Sequence, residues 1–120
     1  MSKQTLHVVL GITGGIAAYK SLSLIRLLSQ RGAEVKVVAT PNALQFVTEL
    51  SLQTLSQNKV YTDSFKKLEH FDIEHISLAE WADVLIVAPA TANILAKFAN
   101  GIADDALSTL FLATTAPIFL

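Results

Sequence analysis

The chain has 120 residues, a formal net charge of −1 and only 16% charged residues, so it offers no basic field for nucleic acid or an anionic membrane. With no cysteine it cannot form a disulfide framework or a thiolate metal site, and no metal is expected. A hydrophobic content of 52% is high for one small domain, here residues 1–120, and points to strands buried on both faces and to a subunit interface.

In chain order, the apolar run Leu6-His7-Val8-Val9-Leu10 predicts a strand over 6–11 that feeds the glycine-rich turn Gly11-Ile12-Thr13-Gly14-Gly15. A helix should follow, with Ala18, Leu22, Ile25 and Leu28 inward, Lys20, Arg26 and Arg31 outward, and Gly32 as its stop. Glu34 to Ala39 predicts the second strand, which ends in Thr40-Pro41-Asn42. Pro41 to Leu55 reads as one or two short helices broken near Ser51 and Thr54. Val60-Tyr61 reads as a short strand and Thr62 to Ile73 as a polar loop. His75 to Ala82 reads as helix and Val84 to Ala88 as a buried strand. Thr91 to Phe98 and Asp104 to Thr114 read as helices, and Pro117 to Leu120 begins another strand. The uncharged stretches Val84 to Ala96 and Ala106 to Leu120 fall short of the roughly 20 residues that span a bilayer. Lys3 precedes no signal-type apolar core, so a cytoplasmic location without membrane or nucleic-acid partners is expected.

A strand, a glycine-rich turn and a helix start form an anion site, because free N–H groups and the positive end of the macrodipole face the turn. Glycines allow φ > 0 and let a phosphate approach the backbone. The turn lacks the Gly-Lys-Ser/Thr ending that would place a lysine on β- and γ-phosphates, and it is not Gly-x-Gly-x-x-Gly. The second strand ends in Thr40 and Asn42 rather than in the acid that holds an adenosine ribose, which suits a single phosphate or a ribityl chain better. A tight βα turn with no ligand is the competing reading.

Alternating strands and helices predict a doubly wound α/β domain with a mostly parallel sheet and helices on both faces. Ligands of such sheets bind at the carboxyl ends of strands near a switch in strand order. Gly11 to Gly15, Thr40 to Asn42 and Pro89 to Asn93 would all lie on that edge.

Gly-Ile-Thr-Gly-Gly-Ile-Ala-Ala-Tyr-Lys, Glu74-His75-Ile76-Ser77-Leu78, Trp81-Ala82-Asp83 and Ala88-Pro89-Ala90-Thr91-Ala92-Asn93 occur in this order. Through them the whole chain resembles the flavin-containing cysteine decarboxylases. It is most similar to their phosphopantothenoylcysteine-decarboxylating branch, which in many bacteria is fused to a phosphopantothenate–cysteine ligase. The resemblance implies a Rossmann-like or flavodoxin-like three-layer sandwich holding flavin mononucleotide (FMN) in a homotrimer or trimer-based oligomer, with flavin at subunit interfaces. It assigns Thr13, Gly14, Gly15 and Ile16, then Thr40 and Asn42, then Thr91, Ala92 and Asn93 to the cofactor. Thr91 is also a plain helix N-cap by residue type.

His75 would be a surface or capping residue by position alone. The resemblance makes it the acid or base acting on substrate, kept neutral by a helix N-terminus. His7 and His70 read as structural or solvated, and Trp81 reads as core rather than as a flavin-stacking group. The implied reaction converts phosphopantothenoylcysteine to 4'-phosphopantetheine: flavin oxidises the cysteinyl thiol to a thioaldehyde, CO₂ leaves, and the flavin returns the electrons. Related members decarboxylate peptide C-terminal cysteines, prenylate flavin, or bind flavin as regulatory subunits without catalysis. The family pattern continues past Leu120 into a Pro-Ala-Met-Asn carboxylate clamp and a flap cysteine, so the chain is expected to be an N-terminal fragment.

Overall fold

Alternation along the strands sorts the side chains onto two faces, and helices cover both. The computed structural model describes residues 5–62 and 71–120. In β1 (His7–Ile12), Val8, Leu10 and Ile12 face one side while Val9 faces the other. Val35, Val37 and Ala39 of β2 (Glu34–Ala39) join the first side, where they pack with Ile25 of α1 (Lys20–Gln30) and Leu52 of α2 (Glu49–Ser56). Val38 of β2 and Leu85 and Val87 of β3 (Val84–Val87) join the second. That side is closed by α3 (Phe71–Trp81), α4 (Ala92–Asn100) and α5 (Ala106–Ala113). The result is the three-layer α/β sandwich expected from the sequence.

The sheet order is β2-β1-β3-β4, with β4 at Ile118–Phe119, and every pairing is parallel. His7 to Ile12 pair with Glu34 to Ala39 on one side, and Val8 to Gly11 pair with Val84 to Val87 on the other. The chain therefore runs from β1 outward to β2 and returns to the far side of β1 as β3. That reversal puts the switch point between β1 and β3, where a ligand crevice opens outside the strand ends.

Several local expectations need correction. The glycine turn leads first into a 3-10 turn at Ile16–Tyr19, and α1 starts only at Lys20. Gly15 is extended at φ 175°; the positive-φ glycines are Gly32 and Gly101, which follow α1 and α4. The conformational freedom expected of the glycine turn is thus not used at Gly15. Gly32 does stop α1, with Ala33 N–H returning to the Leu28 carbonyl at 3.1 Å.

The break between the short helices falls earlier than Ser51. Thr48 caps α2 by accepting from Ser51 N–H at 3.0 Å, and a 3-10 turn at Ala43–Gln45 precedes it. Tyr61 makes one parallel bridge to Val38 and no strand. Residues 71–73, expected to be loop, already belong to α3.

At the amino end of the sheet, the His7 ring stacks on Trp81 at 4.4 Å, and Lys36 Nζ lies 4.3 Å from the Trp81 ring centre. Trp81 is half-buried, so it pins the end of α3 to the sheet and is less buried than a core side chain. About 20 Å of β1, at 3.3 Å per residue, separates this cluster from the carboxyl edge.

Candidate functional site

The loop after β1 and the loop after β3 are tied together through one buried hydroxyl. Thr13, 2% exposed, donates from Oγ1 to the Pro89 carbonyl and accepts from Thr91 N–H at 3.2 Å. Thr91 in turn caps α4, its Oγ1 accepting from Ile94 N–H at 3.3 Å. On the other flank, the Thr40 N–H donates to the Ile12 carbonyl at 3.0 Å, and Thr40 Oγ1 accepts from Ala43 N–H at 3.3 Å. Three strand ends are thus locked to one another by Thr13, Thr40 and Thr91. A hydroxyl at each position serves the scaffold before any ligand arrives.

Above these ties lies a cleft of about 440 Å³. Thr13, Gly14, Thr40, Asn42, Thr91 and Asn93 line it, so the structure brings six of the residues picked out in the sequence to one place. Gly15, Ile16 and Ala92 lie outside this lining. Gly14 carries the closest approach: a Cβ there would stand 2.5 Å from Asn42 Cβ and 2.9 Å from the Asn42 carbonyl carbon. Around the Gly15 Cβ direction there is open space, with nothing within 4 Å. A second, mostly apolar hollow of about 310 Å³ includes Ala17, Leu24 and Pro89 in its walls, on the α1 side of the switch point. Along the chain Gly15 and Ile16 connect Gly14 of the cleft to Ala17 of the hollow, and Ile16 is 81% exposed.

The donors fit an anion. The first-turn N–H groups of Ala92 and Asn93 meet no acceptor among the described residues, and a nine-residue helix stands behind them.

The opposite wall was missed by sequence reasoning. Lys97 of α4 donates to Asp104 Oδ1 at 2.9 Å and to Asp105 Oδ2 at 3.0 Å. Asp105 also caps α5, accepting from the backbone N–H of Ser108 at 2.7 Å and from its hydroxyl at 2.6 Å. The hydrogen bond to Asp104, followed by that to Asp105, holds the Lys97 ammonium above its ordinary pKa. Burial pushes the Asp105 carboxyl up, but its bonds from Ser108 and Lys97 together outweigh this and leave it below the usual value. Asp105-x-x-Ser108 is a visible capping signal in the sequence. The eight-residue separation from Lys97 crosses a turn and follows no helical period, so nothing in the sequence joined them.

His75 is the fifth residue of α3, not its first, and its side chain lies outside the described residues. The dipole argument for a neutral imidazole therefore loses its footing, because that effect fades beyond the first turn. His70 lies outside the described residues altogether. Trp81 and His7 sit at the other end of the sheet from the cleft; His7 is structural there, and Trp81 packs against the core while staying partly exposed.

Known proteins share this fold and much of this sequence. Over 114 residues the chain is 53% identical to the coenzyme A biosynthesis bifunctional protein CoaBC of Bacillus subtilis (strain 168), a match that covers 95% of this chain and 28% of that protein. The chain thus spans little more than a quarter of the curated relatives it matches. The fold superimposes with a TM-score of 0.87 on TvaF, an FMN-dependent cysteine decarboxylase from thioviridamide biosynthesis, at 31% identity over 96% of this chain and 71% of that one. A PPC decarboxylase mutant complexed with pantothenoylaminoethenethiol matches with a TM-score of 0.81 and 34% identity, over 96% of this chain and 65% of that one. The family model described as Flavoprotein matches residues 1–120, and the chain belongs to that family.

Proposed function

We propose that this chain is the FMN-binding part of a carbon–carbon lyase that decarboxylates 4'-phosphopantothenoylcysteine to 4'-phosphopantetheine in coenzyme A biosynthesis. The observation that carries the reading is the cleft at the β1/β3 switch point, together with 53% identity to a coenzyme A biosynthesis protein over 95% of the chain. A flavin fits the residues present. Gly14 and Asn42 meet with no room for a side chain between them, Gly15 leaves open space, and the N–H groups of Ala92 and Asn93 await an acceptor. The mostly apolar hollow at Ala17, Leu24 and Pro89 suits an apolar ring system.

When bound, FMN supplies reversible two-electron chemistry that makes the cysteinyl carboxylate labile. The chain's own residues bind and orient. Thr13, Thr40 and Thr91 keep the three loops in register, and Ala92 and Asn93 present N–H donors to phosphate. His75 is assigned proton transfer on the substrate.

The phosphopantothenoyl substrate, rather than a peptide cysteine or a prenyl donor, is favoured by the CoaBC relatives. A fused ligase accords with their greater length. Assembly into trimers is part of the proposal. Phe98 and Phe111 stack on each other at 3.9 Å, so these two rings are used within the chain. Leu95 of α4 and Leu112 of α5 remain exposed, as do Ile16 and Tyr19 of the 3-10 turn. No helix among the described residues is long and apolar enough to cross a membrane, which accords with a cytoplasmic enzyme.

The test is a visible absorption spectrum of the purified protein, followed by CO₂ release from phosphopantothenoylcysteine. A yellow protein that releases CO₂ from this substrate supports the reading. A colourless protein that takes up no added FMN refutes it. Flavin binding with turnover of a peptide cysteine alone would move the substrate to the peptidyl-cysteine class.

A further inference from the structure

Lys97 is the one cation lining the cleft among the described residues, and it is already committed. Its side chain is 18% exposed and holds two carboxylates, of which Asp105 is 11% exposed and Asp104 59%. Both Asp105 oxygens are occupied, one by Ser108 and one by Lys97. The group therefore carries a net −1 at one wall of a cleft whose other wall offers N–H groups and hydroxyls. To reach a phosphate, the ammonium would have to abandon two carboxylates at the mouth of a small cavity. Electrostatics thus divides the cleft in two.

Resting on the flavin-phosphate reading above, we propose that Lys97 is a positioning residue that sets the charge of the Asp104–Asp105 wall. By gripping both carboxylates it holds that wall at −1 rather than −2, which weakens the wall's repulsion of a ligand's phosphate bound on the Gly14 and Asn93 side. Lys97 lies five residues past Ala92, about 7.5 Å along the α4 axis. At that range the wall's charge acts on a phosphate through a partly screened field with no direct contact. The role belongs to the phosphate alone, and a flavin lacking it should not feel the change.

Lys97→Met keeps the aliphatic stem and removes the charge, while Ser108 still holds Asp105 at the start of α5. Dissociation constants for FMN and for riboflavin, measured by flavin fluorescence on the whole chain at low salt, separate the possibilities. The variant should weaken FMN on the order of tenfold and riboflavin less than about twofold, the scale of one unit charge acting across a cleft wall. Adding Asp104→Asn returns the wall to −1 and should restore FMN to within about threefold of the parent.

Equal losses for both flavins would make Lys97 a structural support and overturn the proposal. A loss confined to FMN that Asp104→Asn does not repair would put the ammonium on the phosphate itself, and would overturn it too. Unchanged FMN binding in Lys97→Met would do the same. A parent chain that binds neither flavin refutes the flavin reading instead, so the two failures are distinct.

Discussion

Gly14 and Asn42 touch backbone to side chain across the mouth of the cleft, with 2.5 Å between Asn42 Cβ and the position a Gly14 Cβ would take. This contact joins the β1 loop to the β2 loop. It differs in kind from the constraints on the two glycines beside it. Gly11 faces Leu107 of α5, where a Cβ would lie 2.5 Å from Cδ1 of a fully buried side chain, and Gly15 faces open space. Gly11 at the end of β1 and Gly14 and Gly15 after it therefore differ: sheet–helix packing constrains the first, loop–loop contact the second, and no described neighbour the third.

Alanine at these positions should separate the three. Gly11→Ala and Gly14→Ala overpack and should each lower stability by about 1–3 kcal/mol, Gly11→Ala by pushing on α5 and Gly14→Ala by splaying the two loops. Gly15→Ala should stay within about 0.5 kcal/mol of the parent. Urea unfolding of the three variants checks the order; an equal cost at Gly14 and Gly15 would contradict the contact.

Gly15→Asp sets a carboxylate in the open space beside the proposed phosphate. The extended backbone there accepts any residue, so the chain should fold with an unchanged melting temperature and lose its yellow colour. Stoichiometric flavin retained by this variant would count against placing the phosphate near the glycine turn.

The Lys97–Asp105 pair sets opposite pH limits on stability. Asp105 is depressed below its ordinary value of 3.8, so its contribution is present above that value and is lost as pH falls through the folded pKa. Lys97 is raised above 10.5, so its share is complete below that value and is lost as pH rises through the folded pKa. Asp105→Asn keeps an N-cap of equal quality and should flatten the acid limb, whereas Asp105→Ala should cost about 1–2 kcal/mol at neutral pH. Thermal melts from pH 2 to 11 would show both, and an acid limb unchanged in Asp105→Asn would exclude this carboxyl as its source.

His75→Asn tests catalysis apart from binding. Flavin content and melting temperature should match the parent while decarboxylation falls by at least ~10²-fold, the scale of general acid–base catalysis. Activity close to that of the parent protein would remove His75 from the reaction. Loss of flavin would instead place it against the cofactor.

Assembly is measurable by light scattering at micromolar concentration, with flavin absorbance followed on the same peak. A trimer mass carrying the flavin is the expected result. A stable monomer that keeps its flavin would disconnect cofactor binding from any interface at Ile16, Tyr19, Leu95 or Leu112.

Much of this protein was legible along the chain, because the features concerned are local. Near-continuous apolar runs at Val8–Ile12, Val35–Ala39 and Val84–Val87 specify strands wherever both faces must be buried, and Gly32 ends α1 by its own left-handed backbone. The three loops at the strand ends followed from strand direction alone, and so did the clustering of Thr13, Gly14, Thr40, Asn42, Thr91 and Asn93. Only the tertiary structure decided what each of these does. The Thr13 hydroxyl is spent on Pro89 and Thr91, 76 and 78 residues away, and Gly14 answers to Asn42 rather than to a turn angle. The Lys97–Asp104–Asp105 wall likewise exists only because α4 and α5 pack side by side. Hydrogen bonds and ion pairs of this kind depend on distances fixed by packing, which no spacing along the chain encodes.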